Sequence, residues 1–322
     1  MANHHEAINA SRPRQLRAGD WKAVGKRVKA DVSQDNLSVV SAGVAFYAFL
    51  ALFPALIALV SLYGLVASPT DVERLVGAME GIMPQEVASI LSSQLQQVVQ
   101  SAGSQLGIGL LIGVLVALWS ATKGTKSLMT ALNIVYEEQE DRGFFRLNSV
   151  ALLLTLGAII AVIAATGMVV AVPAILSFVN LPGVIESLVN WLRWPLLALL
   201  AAFGIGILYR FAPSRRPPRW RWLNYGALTA TALWLIASGL FSWYVSNFGS
   251  YNETYGSMAA IVVLLMWFYI SAFVVLLGAE MNSEMEIQTE ADTTTGEPLP
   301  RGKRGATSAD RVAGEDRDRF KA

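Results

Sequence analysis

Six long stretches of the chain contain almost no charged residues, and more polar connections separate them. The stretches cover roughly 39–67, 104–122, 148–175, 188–210, 222–246 and 257–281. A bilayer core is crossed by about 20 mostly apolar helical residues. The second stretch is short, with 18 uncharged residues from Gln105 to Thr122, and the fourth contains Arg193 near its start. The pattern therefore predicts an all-α polytopic membrane protein with six transmembrane helices.

Lysine and arginine residues are concentrated in alternate connections. Seven precede the first stretch, four lie between the second and third, five between the fourth and fifth, and seven follow the last. The connections after the first and third stretches carry one such residue each, and the connection after the fifth carries none. Because cytoplasmic flanks retain positive charge, both termini are predicted to be cytoplasmic. An even number of crossings agrees with this orientation.

Three regions flank or interrupt the predicted transmembrane domain of residues 38–286. Residues 1–37 form a cytoplasmic arm, in which Asp20 is expected to cap a basic amphipathic helix lying on the inner leaflet. The apolar face of that helix would comprise Trp21, Val24, Val28 and Val32. Apolar residues recur at helical spacing within residues 68–104, which predicts two short amphipathic helices at the outer surface. Residues 287–322 are polar, rich in Gly, Pro and Thr, and are predicted to be a disordered cytoplasmic tail.

The composition supports a membrane protein and removes several classes of enzyme. Apolar residues make up 54% of the chain and charged residues 15%, whereas soluble domains carry about 25% charged residues. The chain lacks cysteine, and its only histidines are His4 and His5. We therefore expect no metal site, no Ser–His catalytic pair, no cofactor and no enzymatic activity. The acidic segment "YEEQED" (136–141) is interpreted as a solvated helix end.

The balance of charge and the glycine pattern exclude two further functions. The 25 Lys and Arg nearly cancel the 24 Asp and Glu, so no global field recruits nucleic acid. No phosphate-binding loop is present, so this chain alone is not expected to use ATP. Small residues recur at the spacing of helix-packing contacts instead. These pairs are Ser41/Ala45, Gly109/Gly113 and Gly226/Ala230.

Four segments together resemble the YihY/virulence factor BrkB family of bacterial inner-membrane proteins. They are "SAGVAFYAFLALFP" (41–54), "LWSATKGTKSLMTALNIVY" (118–136), "YRFAP" (209–213) and "YNETYGSMAAIVVLLMWFYISAFVVLLGAEMN" (251–282). The resemblance covers residues 35 to 285 and implies a six-span, multi-pass protein of the inner membrane, a transporter without an established substrate. Members of this family were once labelled ribonuclease BN, which the missing metal ligands argue against.

Glu280 ends the last apolar stretch and is the first candidate for a functional residue. Counting from Gly256, it lies about 36 Å along the helix, beyond a hydrocarbon core of about 30 Å. On the predicted topology Lys123, Lys126 and Arg210 occupy the same depth. Glu280 is therefore either an interfacial residue or part of an ion-paired inner gate or headgroup contact with those cations.

Two further sets of polar residues are candidates for a substrate path, and for each the alternative is ordinary packing. The candidate cavity lining comprises Ser41, Tyr47, Trp119, Asn133, Tyr136 and Asn282. The candidate outer mouth comprises Tyr251, Asn252, Glu253 and Tyr255.

Two classes of function remain open from the sequence. One is a transporter or a lipid-handling or amphiphile-handling protein, and the other is a non-transporting scaffold that supports envelope integrity. The expected partners are membrane lipids and an unknown transported substrate, without nucleic acid. A homo-oligomer is left open.

Overall fold

A computed structural model describes residues 10–64, 106–172, 176, 183–247 and 257–315. All regular structure within these ranges is helical, apart from one isolated bridge between Pro218 and Thr294. The predicted outer helices of residues 68–104 and the outer-mouth residues Tyr251, Asn252, Glu253 and Tyr255 lie outside the described residues. The fold class predicted from the sequence, all-α, is confirmed for the part of the chain that is described.

The long helices follow the apolar stretches of the sequence. They are α1 (Ala18–Gln34), α2 (Leu37–Gly64), α3 (Leu106–Val135), α4 (Phe144–Thr166), α5 (Gly183–Phe211), α6 (Trp220–Asn247) and α7 (Ser257–Ile287), and the short α8 is Thr307–Asp310. One turn of π-helix, Gly167–Ala171, follows α4. Pro54 and Pro195 lie inside α2 and α5, where each removes a backbone donor without ending the helix.

Among the described residues, five segments are long and apolar enough to cross a membrane. They are Leu37–Pro54, Phe144–Val169, Gly183–Phe211, Trp220–Asn247 and Ile261–Ile287. The second predicted crossing forms the first part of α3, which is a helix but is not one of these five. A multi-pass helical protein is therefore established, and six crossings with both termini cytoplasmic stay a prediction.

The chain divides into two compact units, which are described separately. Unit 1 comprises Met1–Ala42, Leu128–Ala237 and Ile270–Ala322, and unit 2 comprises Gly43–Ser127 and Ser238–Tyr269. In unit 2, α2 and α3 approach closely at Gly124. A Cβ atom at Gly124 would lie 3.0 Å from the Cβ of Ala51 and 3.4 Å from the backbone oxygen of Tyr47. Gly124 therefore permits this helix contact.

In unit 1, α6 and α7 touch backbone to backbone at Gly226 and Gly278. A Cβ atom at Gly278 would lie 2.7 Å from the backbone oxygen of Gly226 and 2.7 Å from the Cβ of Ala230. These separations are too short for any side chain larger than hydrogen. The predicted packing role of Gly226 and Ala230 is confirmed, and Gly278 is its partner on the other helix.

In unit 1, α1 of the N-terminal arm packs against α6 and α7 through the face that the sequence predicts to contact lipid. Val24, 2% exposed, belongs to a buried cluster with Trp222 and Met285, and Trp21 and Val28 pack against that cluster. Asp20 is not the helix cap. It lies in the first turn of α1, where its carboxylate accepts the backbone N–H of Arg17 at 2.8 Å and the side-chain amide of Gln288 at 3.1 Å. Lys22, Lys26 and Lys29 remain exposed on the opposite face.

Residues 288–315 of the tail are folded, which differs from the disorder expected for 287–322. The buried Arg304 donates to the backbone oxygens of Ala309 at 2.6 Å, Glu290 at 2.8 Å and Leu299 at 3.2 Å. The tail also pairs with the connection between α5 and α6, since Arg219 N donates to Thr293 O at 2.9 Å. Local composition does not reveal this order, because the contacts join segments far apart in sequence.

Candidate functional site

The end of α7 and the residue that follows it carry polar side chains that are buried in unit 1. They are Glu280, Asn282, Ser283, Glu284, Glu286 and Gln288. They lie here because α7 does not end with the apolar stretch but continues through Ile287. Around them lie residues 10–17, 136–143, 212–219 and 288–315. We call these four segments and residues 280–287 the polar cap.

Arg215 and Glu286 form the most deeply buried ion pair in the polar cap. Arg215 Nη2 lies 2.6 Å from Glu286 Oε2, and both side chains have 0% exposure. Thr293 Oγ1 donates to the same carboxylate oxygen at 2.6 Å. The guanidinium also lies over the ring of Tyr136, 4.8 Å from its centroid. Burial lowers the pKa of Arg215, but the carboxylates of Glu286 and Glu138 more than offset this and raise it.

The turn after α3 positions Tyr136, Glu137 and Glu138. Glu138 N donates to Asn133 O at 2.8 Å and Glu137 N donates to Ile134 O at 3.0 Å, which is the bonding pattern of a Schellman helix end. Glu137 occupies the left-handed position of that motif, with φ +55°, where glycine is usual. The turn buries Tyr136 completely. Burial raises the pKa of the Tyr136 hydroxyl, while the nearby guanidinium of Arg215 opposes the shift.

Asn282 joins α7 to α6 at the glycine contact. Its side-chain oxygen accepts the backbone N–H of Gly226 at 2.9 Å, and its amide nitrogen donates to Leu223 O at 3.3 Å. Tyr209 of α5 donates its hydroxyl to Val275 O at 2.6 Å, earlier on α7. The last membrane helix is therefore held to two neighbours by buried polar contacts.

Glu284 and Glu137 connect the two terminal segments of the chain to the polar cap. Glu284 bonds to Arg27 of α1 and, at 3.3 Å, to Arg311 of the tail. Arg311 also pairs with Glu137 at 2.5 Å. One tail cation thus bridges the turn after α3 and the end of α7.

Glu138 lies at the edge of the same cluster. Its Oε1 accepts the backbone N–H of Thr307 at 2.8 Å. Burial raises the pKa of Glu138 to about 7, although the Arg215 charge and the Thr307 hydrogen bond lower it. Glu138 therefore titrates near neutral pH, unlike an ordinary carboxyl group.

The predicted gate residues are divided between the two units. Glu280 is buried in unit 1, 2% exposed, and interacts electrostatically with Tyr136. Arg210, also in unit 1, donates to Pro218 O and lies 5.0 Å from the ring centroid of Trp220. Lys123 and Lys126 belong to unit 2, where Lys126 Nζ lies 5.1 Å from the ring centroid of Trp119. An inner gate that pairs Glu280 with these cations stays a prediction.

Among the predicted cavity-lining residues, those in unit 1 occupy two places. Asn133, Tyr136 and Asn282 meet in or beside the polar cap, where Asn133 Oδ1 accepts the backbone N–H of Ser214 at 2.7 Å. Ser41 is buried in α2 and donates its hydroxyl to Leu37 O at 2.6 Å.

The cavity-lining candidates of unit 2 lie on exposed helix faces. Tyr47 of α2 is 46% exposed and Trp119 of α3 is 49% exposed. A role for either in lining a cavity stays a prediction.

The sequence does not indicate that Arg215 and Glu138 meet in the polar cap. In the sequence Arg215 contributes only to the topology signal, and Glu138 belongs to the segment interpreted as a solvated helix end. A signal did exist in α7, because Glu280, Glu284 and Gln288 repeat every four residues and Asn282 and Glu286 do the same. Residues four apart lie on one helix face, so these repeats indicate two polar faces at the end of α7.

The site and the fold define a multi-pass helical membrane protein with a buried, ionisable polar cap. The family model described as "Virulence factor BrkB" matches residues 28–302. The chain therefore belongs to the virulence factor BrkB family, as the resemblance in its sequence indicated.

Similar proteins occur in several bacteria. The putative ribonuclease-like protein YfkH of Bacillus subtilis is 32% identical over 76% of this chain and 88% of its own length. A UPF0761 membrane protein of Photobacterium profundum is 27% identical over 83% of this chain and 82% of its own. Another, from Alkalilimnicola ehrlichii, is 29% identical over 88% of this chain and 64% of its own. No solved structure matches the chain.

Proposed function

We propose that this protein is a bacterial inner-membrane transporter that moves an amphiphilic, lipid-like substrate, with six crossings and both termini in the cytoplasm. Two observations support the topology. Five described segments are long and apolar enough to span a membrane, and Lys and Arg are concentrated in alternate connections. Membership of the family supports a membrane protein and leaves the substrate to experiment.

The observation that carries the proposal is a buried group of ionisable side chains at the end of a membrane helix. Glu280 and Glu286 are buried on α7, in the segment Ile261–Ile287 that is apolar enough to span. Ionisable residues in membrane helices are costly, and they usually mark the path of an ion or substrate. Glu280 is the member of this group nearest the apolar part of the helix, so we propose that it contacts the polar part of the substrate.

Lipid reorientation in reconstituted vesicles tests this proposal. The purified protein would be inserted into vesicles containing a fluorescent phospholipid, and a membrane-impermeant reductant would quench the outer leaflet. We expect complete quenching with the protein, and a rate about tenfold lower for Glu280→Gln. Glu290→Gln is the matched control, because Glu290 is a glutamate just beyond the end of α7 with its side chain exposed. Equal quenching with and without the folded protein would rule out lipid-like substrates.

A scaffold without transport is the second candidate. It is favoured by the fixed packing of both terminal segments, in which Ala10 exchanges hydrogen bonds with Thr289 at 3.0 and 2.7 Å. Folded segments such as residues 10–34 and 288–315 present a constant surface for a partner, whereas disordered ones do not. Vesicles that show no flux, together with envelope defects in cells that lack the protein, would favour this second function.

We do not propose ribonuclease activity, although one relative carries a ribonuclease-like name. In the part of the chain that the structure describes, no group of three or more His, Cys, Asp or Glu side chains is arranged to hold a metal ion. A metal-dependent nuclease needs such carboxylate or histidine ligands. Incubation of the purified protein with RNA and Mg²⁺ or Mn²⁺ should therefore leave the RNA intact.

A further inference from the structure

The start of α6 lies against the last three turns of α5. The Trp220 ring stacks on Phe203 of α5, with 6.1 Å between the ring centroids and 12° between the ring planes. Gly206, one turn farther along α5, leaves room for this ring, because a Cβ atom there would lie 3.3 Å from Cζ3 of Trp220. After another turn, the Arg210 guanidinium lies 5.0 Å from the Trp220 ring centroid. One face of α5 and the first residue of α6 thus form a continuous aromatic and cationic surface.

This surface is exposed at the end of a membrane segment. Phe203 is 59% exposed and Trp220 is 40% exposed. Trp220 and Arg221 begin the segment Trp220–Asn247, which is long and apolar enough to span. They therefore lie at the depth of the lipid headgroups, whichever way the chain is oriented. Aromatic rings at this depth contact the boundary between headgroups and acyl chains.

Three arginines surround Trp220 at this helix start. Arg219 and Arg221 are its neighbours in the chain, and Arg210 contacts its ring and donates to the backbone oxygen of Pro218. Arg221 interacts electrostatically with Arg219, so these two positive charges lie close enough to repel each other. The connection between α5 and α6 thus concentrates positive charge beside the exposed rings.

In the described part of the chain, no carboxylate pairs with these three arginines. The ion pairs of the described residues involve Arg27, Arg142, Arg215, Arg301 and Arg311. Arg219 instead donates to two neutral oxygens of the tail, Thr294 O at 2.9 Å and Gly296 O at 3.4 Å. Among the described residues, Nε of Arg221 is buried and has no hydrogen-bond partner. Guanidinium groups without a carboxylate are stabilised by an external anion, and they suit phosphate because they donate two parallel hydrogen bonds to it.

We propose that the phosphate group of an anionic phospholipid binds at this junction, to the guanidinium groups of Arg210, Arg219 and Arg221. Its acyl chain lies along the stacked rings of Phe203 and Trp220. We call these five residues the junction site. A free phosphate would use only the cations, whereas an amphiphile contacts both parts of the surface. The bound lipid is a resident ligand of the helix surface, so the inference goes beyond the proposed transport function and does not depend on it.

Native mass spectrometry of the purified full chain in detergent tests the junction site, because it counts bound lipids. Phosphatidylglycerol and phosphatidylcholine with identical acyl chains are the probes. We expect phosphatidylglycerol to bind about tenfold more tightly, because its phosphate is not neutralised by a cation of its own headgroup. Inorganic phosphate added at constant ionic strength should not displace it, because phosphate has no acyl chain to contact the rings.

Variants of Arg221 assign the binding to this site. Arg221→Gln should weaken phosphatidylglycerol binding about fivefold, the effect of one cation near a membrane surface, and should leave phosphatidylcholine binding unchanged. Arg221→Lys should keep most of the affinity, because the charge is retained. Arg146→Gln is the matched control, since Arg146 is an exposed arginine near the start of another membrane segment, Phe144–Val169. It should leave the binding of both lipids unchanged.

Equal affinities of the wild-type protein for the two lipids would overturn the proposal. Full displacement by inorganic phosphate would also overturn it, because the cations would then bind a soluble anion. An equal loss of affinity in Arg146→Gln protein and folded Arg221→Gln protein would reveal only a general attraction of anionic lipids to basic helix ends, and the junction site would be refuted. The assay involves no movement of lipid between leaflets, so this proposal and the transport proposal can fail separately.

Discussion

Arg215 and Glu286 make a 2.6 Å ion pair in which neither side chain reaches solvent. They come from different parts of unit 1, the connection after α5 and the end of α7. Desolvating two charges costs several kcal/mol per ion, and this cost is recovered only while both partners are present. The pair therefore fixes the connection against the helix more than it adds to overall stability.

Removing one partner of this pair should be far more harmful than removing both. We expect Arg215→Met to lower the free energy of unfolding by about 3–5 kcal/mol, because Glu286 is left buried without its cation. The double variant Arg215→Met with Glu286→Leu should recover most of that loss. Thermal melting in detergent measures both. As a control, Arg301→Met breaks the more exposed pair with Glu315 and should cost about 1 kcal/mol or less.

The backbone contact between α6 and α7 should not tolerate even a methyl group. In Gly278→Ala the new Cβ would lie 2.5 Å from the hydroxyl of Tyr209 and 2.7 Å from Gly226 O. We expect a loss of about 1–3 kcal/mol, typical of overpacking, seen as a lower melting temperature. Gly204→Ala is the matched control, because its Cβ meets nothing within 4 Å. An unchanged melting temperature for Gly278→Ala would show that the helices are farther apart.

The sequence predicts the helices well because their cause is local. An uncharged run long enough to span is sufficient to indicate α4, α6 and α7, and the spacing of Gly226 and Ala230 indicates a packed face. The apolar run does not indicate where α7 ends. The run stops at Glu280, whereas the helix continues for seven more residues to Ile287, since the buried partners of Glu284 and Glu286 stabilise its last two turns.

The polar cap could not be predicted because its causes are long-range. The tail has the composition of a disordered segment, yet Thr289 bonds to Ala10, 279 residues away. Likewise, "YEEQED" has the composition of a solvated turn. Glu138 is partly buried there because Arg215, from the connection after α5, and Thr307, from the tail, approach it. The repeats on α7 mark polar faces of that helix, but they do not identify these partners.

Cysteine labelling can test the predicted topology directly, because the chain contains no native cysteine. In intact spheroplasts a membrane-impermeant maleimide should label Asn252→Cys. It should label Arg14→Cys and Lys303→Cys only after the membrane is broken, since both termini are predicted to be cytoplasmic. Arg14 and Lys303 are exposed, so accessibility of the side chain does not limit the reaction. Labelling of Asn252→Cys and Lys303→Cys from the same side would refute the predicted orientation.

The folded state of residues 288–315 should depend on Arg311. Arg311→Ala removes the cation that joins the tail to Glu137 and Glu284. We expect hydrogen–deuterium exchange across residues 288–315 to rise by about tenfold, corresponding to a loss of about 1.4 kcal/mol. Lys26→Ala is the control, because Lys26 is an exposed cation on α1. Equally fast exchange in the wild-type protein and in Arg311→Ala protein would support the disordered tail that the composition predicts.

The pH dependence of stability should reveal Glu138. Its pKa rises from an ordinary value of 4.5 to about 7 in the folded protein. The folded state therefore keeps a proton that the unfolded state releases between these values. The stabilisation is complete below about pH 4.5 and is lost as the pH rises through about 7, by at most about 3 kcal/mol.

Glu138→Gln should remove this loss, because the amide cannot ionise. The variant should melt at a higher temperature than the wild-type protein at about pH 8 and at nearly the same temperature at about pH 5. Glu140→Gln provides a control of opposite sign. Burial raises the pKa of Glu140, but the hydrogen bonds from Arg142 have the larger effect, so the net pKa is lowered. The ionised form of Glu140 therefore stabilises the fold above the ordinary pKa of the group. That variant should melt at a lower temperature at about pH 8. Parallel melting curves for Glu138→Gln and wild-type protein across this range would show that Glu138 is ionised throughout.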